Sequence, residues 1–475
     1  MVFSSLVFTF LFLPIVVLLY FIAKERYRNY ILLVASLLFY TYGEPAFVFV
    51  MIGSIAANYI FAIGVRYYKT REKDNCAKIM LLLDILVNLG ILYIFKYLGF
   101  STTIVSMVFG INIKVKQIAL PIGISFFTFQ ALSYVIDVYR GTVEVQKNPL
   151  YVALYISFFP QLVAGPIVRY STIESQIATR QCSIEKFGEG TRRFLLGFGK
   201  KILLSNNLAV VAGEIWGLEL SEANPALLWM GSICYTLQIF YDFSGYSDMA
   251  IGLGKMFGFE FEENFNYPYI SKSVTEFWRR WHISLGAWFR DYVYIPLGGS
   301  RVLAPRHLIN LLIVWLLTGI WHGASFNFVF WGMGYFVLLV IEKYIVKPEE
   351  WKNRLLRVVW QIFVLVCVNF GWVIFNTSSL RRGGSYCLAM MGYYQVPFAV
   401  DSAMVCYIRE YGMFFVTGIL FATPIMKIIG QRADKGKYLG GIKALITPIG
   451  YGLMFLWAVS FLILGAHNPF IYFNF

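Results

Sequence analysis

Charge is scarce in this chain: only 14% of its 475 residues are Asp, Glu, Lys or Arg. A soluble fold of that length would need a larger charged surface, and the 59% apolar content exceeds the roughly 45–50% of ordinary globular proteins. The six cysteines (Cys76, Cys182, Cys234, Cys367, Cys387, Cys406) form no CxxC pair and no metal-type spacing, so no metal chemistry is indicated. No GxSxG elbow is present, which argues against a serine hydrolase. The stretch "GLGKMFG" is no phosphate loop, because Lys255 is followed by Met256 rather than Ser or Thr. Soluble domains, low-complexity tracts and internal repeats are missing too, so residues 1–475 read as one membrane domain.

Long uncharged runs fill the space these absences leave. They recur at the length of about 20 residues that crosses a hydrocarbon core as a helix. They are continuous rather than alternating, which argues against a β-barrel. The fold class is therefore all-α: a polytopic integral membrane protein of about eleven spans by the length rule. The first run, within Met1–Ala23, has no basic segment before it and no small-residue cleavage site, so it reads as a retained span. Basic "KERYRN" and "RYYKTREKDNCAK" follow the first and third spans, which places those loops in the cytoplasm and the N-terminus outside. The net charge of +14 is spread over such short loops facing an anionic leaflet, so the basic partner is the lipid bilayer and not nucleic acid. Residues 377–410 read as an external loop in which Cys387 and Cys406 could pair. "PLYVALYISFFPQLVAGPIV", with internal Pro160, Gly165 and Pro166, reads as re-entrant.

Ser271–Gly299 differs from its surroundings. Ser273 and Glu276 have capping-box spacing. At 100° per residue Trp278, Trp281, Leu285, Trp288, Phe289 and Tyr292 share one arc, with Glu276, Arg279 and Arg290 opposite. Such a helix anchors at the membrane interface or wedges among helices near it. His282 sits at the edge of the apolar arc.

The longest uncharged run, Leu308–Ile341, has His322 near its centre. As one helix its 34 residues would measure about 51 Å, against a bilayer core of roughly 30 Å. It must tilt, bend or break, most easily at Gly319 and Gly323 beside the histidine. Broken helices at mid-depth need protein or a watery cavity around them, so His322 is expected to line a central chamber. A buried neutral imidazole can accept a proton from a hydroxyl, which is the equipment of a general base. Ser325 and Asn327 could orient it or a substrate. Asp242, Ser244, Tyr246, Ser247, Asp248 and Asp84 also sit in apolar surroundings, where helix–helix hydrogen bonding is the plain alternative to a functional role.

Several long blocks in one order then carry a resemblance: "LPIGISFFTFQALSYVIDVYRG", "FFPQLVAGPIVRY", "YDFSGYSDMAIGLGKMFGFEFEENFNYPYISKSVTEFWRRWHISLGAWFRDYVYIPLGGSR", "TGIWHGASFNFVFWG" and the terminal "FIYFNF". With them the chain resembles the membrane-bound O-acyltransferase family, in particular the bacterial branch that holds the alginate O-acetylation membrane subunit. The resemblance implies interfacial and re-entrant helices around a central chamber. It places the family's near-invariant histidine on His322 and a second functional histidine on His282. It implies that no cofactor is permanently bound, and that acetyl-CoA or another acyl thioester is the donor substrate. It further implies a bacterial cytoplasmic-membrane location. The acyl group would pass to a hydroxyl of an extracytoplasmic SGNH-type acyltransferase partner or of a polysaccharide acceptor. Trp281, Asn327 or His282 could position the donor, and Arg279, Arg280 and Arg290 could hold its phosphates or anchor to anionic lipid. D-alanyl transfer to teichoic acid from a carrier protein is the alternative within the family. A glycan exporter or transporter with a proton-relay histidine, or a scaffold that recruits another acyltransferase, are alternatives of other classes. His307 and His467 read as residues at loop or span ends.

Overall fold

The computed structural model describes residues 1–113, 118–435, 437–465 and 471; His467 and the rest of the terminal "FIYFNF" lie outside them. All regular structure among the described residues is helical. Eight helices among the described residues are long and apolar enough to cross a membrane: Val48–Lys69, Asp74–Phe109, Ile184–Trp216, Ala304–His322, Phe326–Glu350, Arg354–Asn376, Ser402–Phe421 and Ala444–Ile463. Phe8–Ile22 is a shorter apolar helix. Glu25–Gly43 and Pro225–Met256 are long helices as well, of 19 and 32 residues.

Contacts divide the chain into two compact units. The first comprises Met1–Phe194 and Ser247–Glu262. Its helices Val48–Lys69 and Asp74–Leu92 pack together and against Ile124–Arg140. Asn58 and Asn88 exchange two amide hydrogen bonds of 3.1 Å between the first two, and Asn88 also donates to Asp84 Oδ1 at 3.2 Å. Asp84 thus takes part in a helix–helix polar contact. The run expected to be re-entrant breaks into Pro149–Ser157 and Phe159–Leu162. Residues 154–168 are buried throughout. A Cβ on Gly165 would lie 2.6 Å from Gln161 Cα, so only glycine lets the chain double back there.

The second unit comprises Leu195–Tyr246 and Glu263–Phe475. At its centre Ala304–His322 and Phe326–Val340 form a helical hairpin. The uncharged run therefore breaks, and it does so directly after His322: Gly323 is extended and Ser325 takes the N-cap position of the second helix. Gly319 faces Phe328 and Gly332, and Gly332 faces Trp315, so pairs whose numbers sum to nearly one value meet and the helices are antiparallel. A Cβ on Gly319 would overlap the Phe328 carbonyl oxygen, and one on Gly332 the Trp315 carbonyl oxygen. These glycines let the two backbones touch. The region read as an external loop is not a loop throughout. It contains the helix Leu380–Met390 and the start of Ser402–Phe421, and Cys387 and Cys406 are both free thiols.

Ser271–Gly299 keeps its cap and loses its continuity. Ser273 Oγ accepts from Glu276 N at 3.0 Å, while Glu276 Oε2 accepts from Lys272 N at 2.8 Å. The helix Val274–Arg280 then stops: Trp281 is extended and His282 has φ 46° and ψ 54°, before Ile283–Phe289 resumes. The shared arc holds only within each piece. Trp281 stacks on Phe277 with centroids 5.7 Å apart and tilts against Trp372 at 4.7 Å. Trp278 meets the edges of Trp315 and Tyr335 at 4.9 and 4.8 Å. Both indoles wedge among helices of this unit rather than anchoring in lipid.

Candidate active site

The hairpin presents His322 as the last residue of its first helix. The ring is buried and bounded by edge-on contacts to Trp321, Trp331 and Phe375, with centroids at 5.0, 5.0 and 5.3 Å. Trp331 comes from the hairpin's second helix and Phe375 from the end of Arg354–Asn376. Three helices therefore fix one imidazole.

His282 arrives from the other side. Its ring is buried, edge-on to Phe243 at 4.6 Å and to Trp321 at 5.8 Å, so Trp321 touches both histidines. His282 occupies the left-handed backbone region, which costs a residue with a Cβ roughly 1–2 kcal/mol. Asn264 holds that turn: its main-chain oxygen accepts from Ile283 N at 3.0 Å, and its Oδ1 accepts from Ser284 N at 3.2 Å and Ser284 Oγ at 2.9 Å. His282 Nδ1 lies 3.1 Å from the same Oδ1. Burial first, and the neighbouring His322 second, keep the His282 imidazole well below its ordinary value of 6.5, and hence neutral.

A cavity of about 660 Å³ opens beside this pair. Trp278, Trp281, His282, Leu285 and Trp315 line it, and so do the exposed Arg279, Arg290, Lys343 and Lys347. Its buried end is aromatic; at its exposed end these four cations stand with two carboxylates, Glu349 and Glu350. His322, expected to line a chamber, is not in this lining, and neither is Trp321. Asn327 donates its amide to the Thr377 carbonyl, and Ser325 is half-buried at the helix N-cap. Arg280 is engaged with Glu276 at 2.8 Å and with the Asn266 carbonyl at 3.0 Å, and Arg290 with Asp291 at 2.7 Å. Asp242 is fully buried against Lys201 at 2.5 Å, and its second oxygen accepts from Ile471 N at 2.9 Å. His307, read from sequence as a residue at a loop or span end, lies near the start of Ala304–His322, where it is buried and lines the cavity. Tyr294 Oη lies 2.8 Å from its Nε2 and Tyr344 Oη lies 2.6 Å from its Nδ1.

The amino-acid sequence that builds this site is similar to known proteins along most of its length. "Probable alginate O-acetylase AlgI" of Pseudomonas aeruginosa is 43% identical over 80% of this chain and 73% of its own. The chain belongs to the membrane-bound O-acyltransferase family. The family model itself matches residues 143–348, which include both histidines. The peptidoglycan O-acetyltransferase of Helicobacter pylori is 28% identical over 100% of this chain and 98% of its own. The teichoic acid D-alanyltransferase of Bacillus subtilis is 29% identical over 54% and 67%.

In this O-acyltransferase several partners escaped the sequence reading. Asn264 lies in "ENFNYPY", where no spacing rule links it to a histidine 18 residues on. Glu342 is buried at the end of the long uncharged run. It accepts from Val274 N at 2.6 Å, Thr275 N at 2.9 Å and Thr275 Oγ1 at 2.5 Å, and so caps the helix that leads to His282. The available signal was a carboxylate ending an apolar helix, which reads equally well as the first residue of a solvated loop.

Proposed function

We propose that this protein moves an acyl group, acetyl before any other, from a cytoplasmic thioester such as acetyl-CoA onto an extracytoplasmic hydroxyl. The relatives' names support a polymer acceptor of the cell envelope or an exopolysaccharide. The hydroxyl belongs to that polymer or to an SGNH-type partner, and the chain lies in the bacterial cytoplasmic membrane with its N-terminus outside. The observation that carries the reading is the pairing of His322 and His282 across Trp321, beside a cavity whose exposed rim has four cations against two carboxylates.

The chemistry asks for little more. A thioester already holds the driving force, so the protein needs a base, an oriented hydroxyl and a place for the developing oxyanion. His322 takes the hydroxyl proton as oxygen bonds to the acyl carbon. The carbon–sulfur bond breaks, and the imidazolium returns the proton to the leaving thiolate. His282 and Trp281 orient the donor, with the phosphates toward Arg279 and Arg290. Asn327 and Ser325 hold the turn that aims His322, and Arg280 and Asp242 stabilise the surrounding helices.

Purified protein in liposomes, given radiolabelled acetyl-CoA and an acceptor glycan with its partner, tests this. General-base loss costs typically 10²–10⁴-fold, so His322→Gln should lower transfer by about that factor with the protein still folded and inserted. Equal transfer by wild type and variant would overturn the assignment. Label accepted only from a D-alanyl carrier protein would move the reading to the teichoic acid branch. Glycan flux without any acyl transfer would replace it with an exporter.

A further inference from the structure

We propose that Asn264 is a positioning residue for His282: it fixes the imidazole as the Nδ1–H tautomer, so that Nε2 is the nitrogen that accepts. The inference rests on the acyl-transfer reading for its purpose, though not for its geometry.

The donor–acceptor logic leaves one solution. A backbone N–H can only donate, and Ser284 N lies 3.2 Å from Asn264 Oδ1, so that atom is the carbonyl oxygen of the amide. Ser284 Oγ lies 2.9 Å from this oxygen and 3.5 Å from His282 Nδ1, so its single proton goes to the nearer oxygen and leaves Nδ1 to donate. A carbonyl oxygen accepts only. His282 Nδ1, 3.1 Å away, can therefore bond to it only by donating a proton, and the lone pair of the neutral ring then sits on Nε2. The same asparagine closes the left-handed turn through its main-chain oxygen and Ile283 N at 3.0 Å. Tautomer and ring direction are thus set by one residue, 18 positions upstream, whose side chain is itself buried.

The consequence concerns how the two histidines divide the work. With its proton held on Nδ1, His282 meets a substrate hydroxyl or thiol as an acceptor, not as an oxyanion donor. Phe243, Trp321, Asn264 and Ser284 lie around its ring, and the neighbouring His322 adds to burial in opposing a positive charge on it.

The chain has four histidines, so ¹⁵N-histidine labelling of the purified protein gives a readable NMR spectrum, with His282→Gln identifying the His282 signals. Wild type should show a protonated Nδ1 and an unprotonated Nε2. Asn264→Ala should lose that preference and lower kcat by about 10-fold or more with KM for acetyl-CoA little changed, as misplaced tautomers do in other imidazole sites. Asn264→Asp keeps an acceptor facing Nδ1, so it should retain the tautomer and recover much of the activity. Its negative charge should also raise the acid limb of the pH–rate profile. A protonated Nε2 in wild type overturns the proposal, and so does an Asn264→Ala protein that keeps both the tautomer and full kcat. Loss of folded protein in Asn264→Ala with a normal spectrum and normal kcat in Asn264→Asp, without the pH shift, would make the asparagine merely structural and also overturn it. If wild type shows the expected tautomer but transfers no acyl group from any thioester, the functional reading fails while the geometry stands.

Discussion

Replacing Gly332 by Ala should cost this protein far more activity than stability. The added Cβ overlaps the Trp315 carbonyl oxygen and comes within 3.2 Å of Gly319 Cα, both parts of backbone that cannot rotate away. Relieving the overlap requires the hairpin helices to part by roughly 1 Å, the distance over which a carbon–oxygen contact returns to its minimum. Overpacking of this kind costs typically 1–3 kcal/mol, and the gain of about 0.5–1 kcal/mol from removing a helical glycine offsets part of it. The net loss of stability is therefore about 0–2.5 kcal/mol. Activity is another matter: Trp331, next to Gly332, bounds the His322 ring at 5.0 Å, and a shift of about 1 Å in a reacting group costs on the order of 10²-fold in rate. Gly334 lies two residues on, and its Cβ would meet nothing within 4 Å. Gly334→Ala is the matched control, expected to keep full activity and slightly raise thermal stability. Label transfer from acetyl-CoA, read beside thermal unfolding in detergent, checks both variants. A Gly332→Ala protein as active as Gly334→Ala would refute the claim that backbone contact in the hairpin sets the histidine's position.

Further outcomes can be checked with the same material. Asp242→Ala leaves Lys201 buried without its carboxylate, a loss of about 3–5 kcal/mol that should appear as little folded protein, whereas the apolar double variant Lys201→Met, Asp242→Leu should recover most of it. Glu342→Ala removes the acceptor for three donors and should lower stability by about 1.5–3 kcal/mol, together with acyl transfer, because the capped helix carries His282; thermal unfolding and label transfer read this. His282 lies outside the candidate spans and resists protonation in the fold, so the unfolded chain binds a proton that the folded one refuses as pH falls below 6.5. Stability should drop by about 1.4 kcal/mol per pH unit there relative to a His282→Gln protein, and equal slopes in the two would contradict a neutral buried ring. His307→Ala should destabilise the cavity-lining end of the hairpin, since two tyrosine hydroxyls lose their shared partner, and unchanged unfolding temperature would show those contacts to be incidental.

Much of the architecture was legible because lipid and geometry constrain it one-dimensionally. The mismatch between the 34-residue run and the bilayer demanded a break, and the break falls at Gly323. The capping pair Ser273 and Glu276 marked a helix start by local hydrogen bonding alone. The stop at Arg280 was not legible: periodicity continues through Trp281 and His282, and hydrogen bonds to Asn264 and Asn266, from a separate segment, turn the chain there. Similarly, tryptophans on an arc look alike whether they face lipid or other helices, because both surroundings are apolar. The ionic partner of Asp242, Lys201, comes from a distant segment that composition cannot order, whereas Arg280 and Glu276 are four residues apart on one helix.

The Glu342 clasp has a mechanical consequence. Its carboxylate sits near the end of Phe326–Glu350, a helix of 25 residues that is a candidate span, and grips the first residues of the helix leading to His282. A spanning helix answers hydrophobic mismatch by tilting. In a thinner bilayer the tilt would drag the clasped segment with it, and the distance between the two imidazoles would follow. Turnover in vesicles of graded acyl-chain length thus becomes a gauge of how rigidly lipid dimensions are geared to the reacting groups.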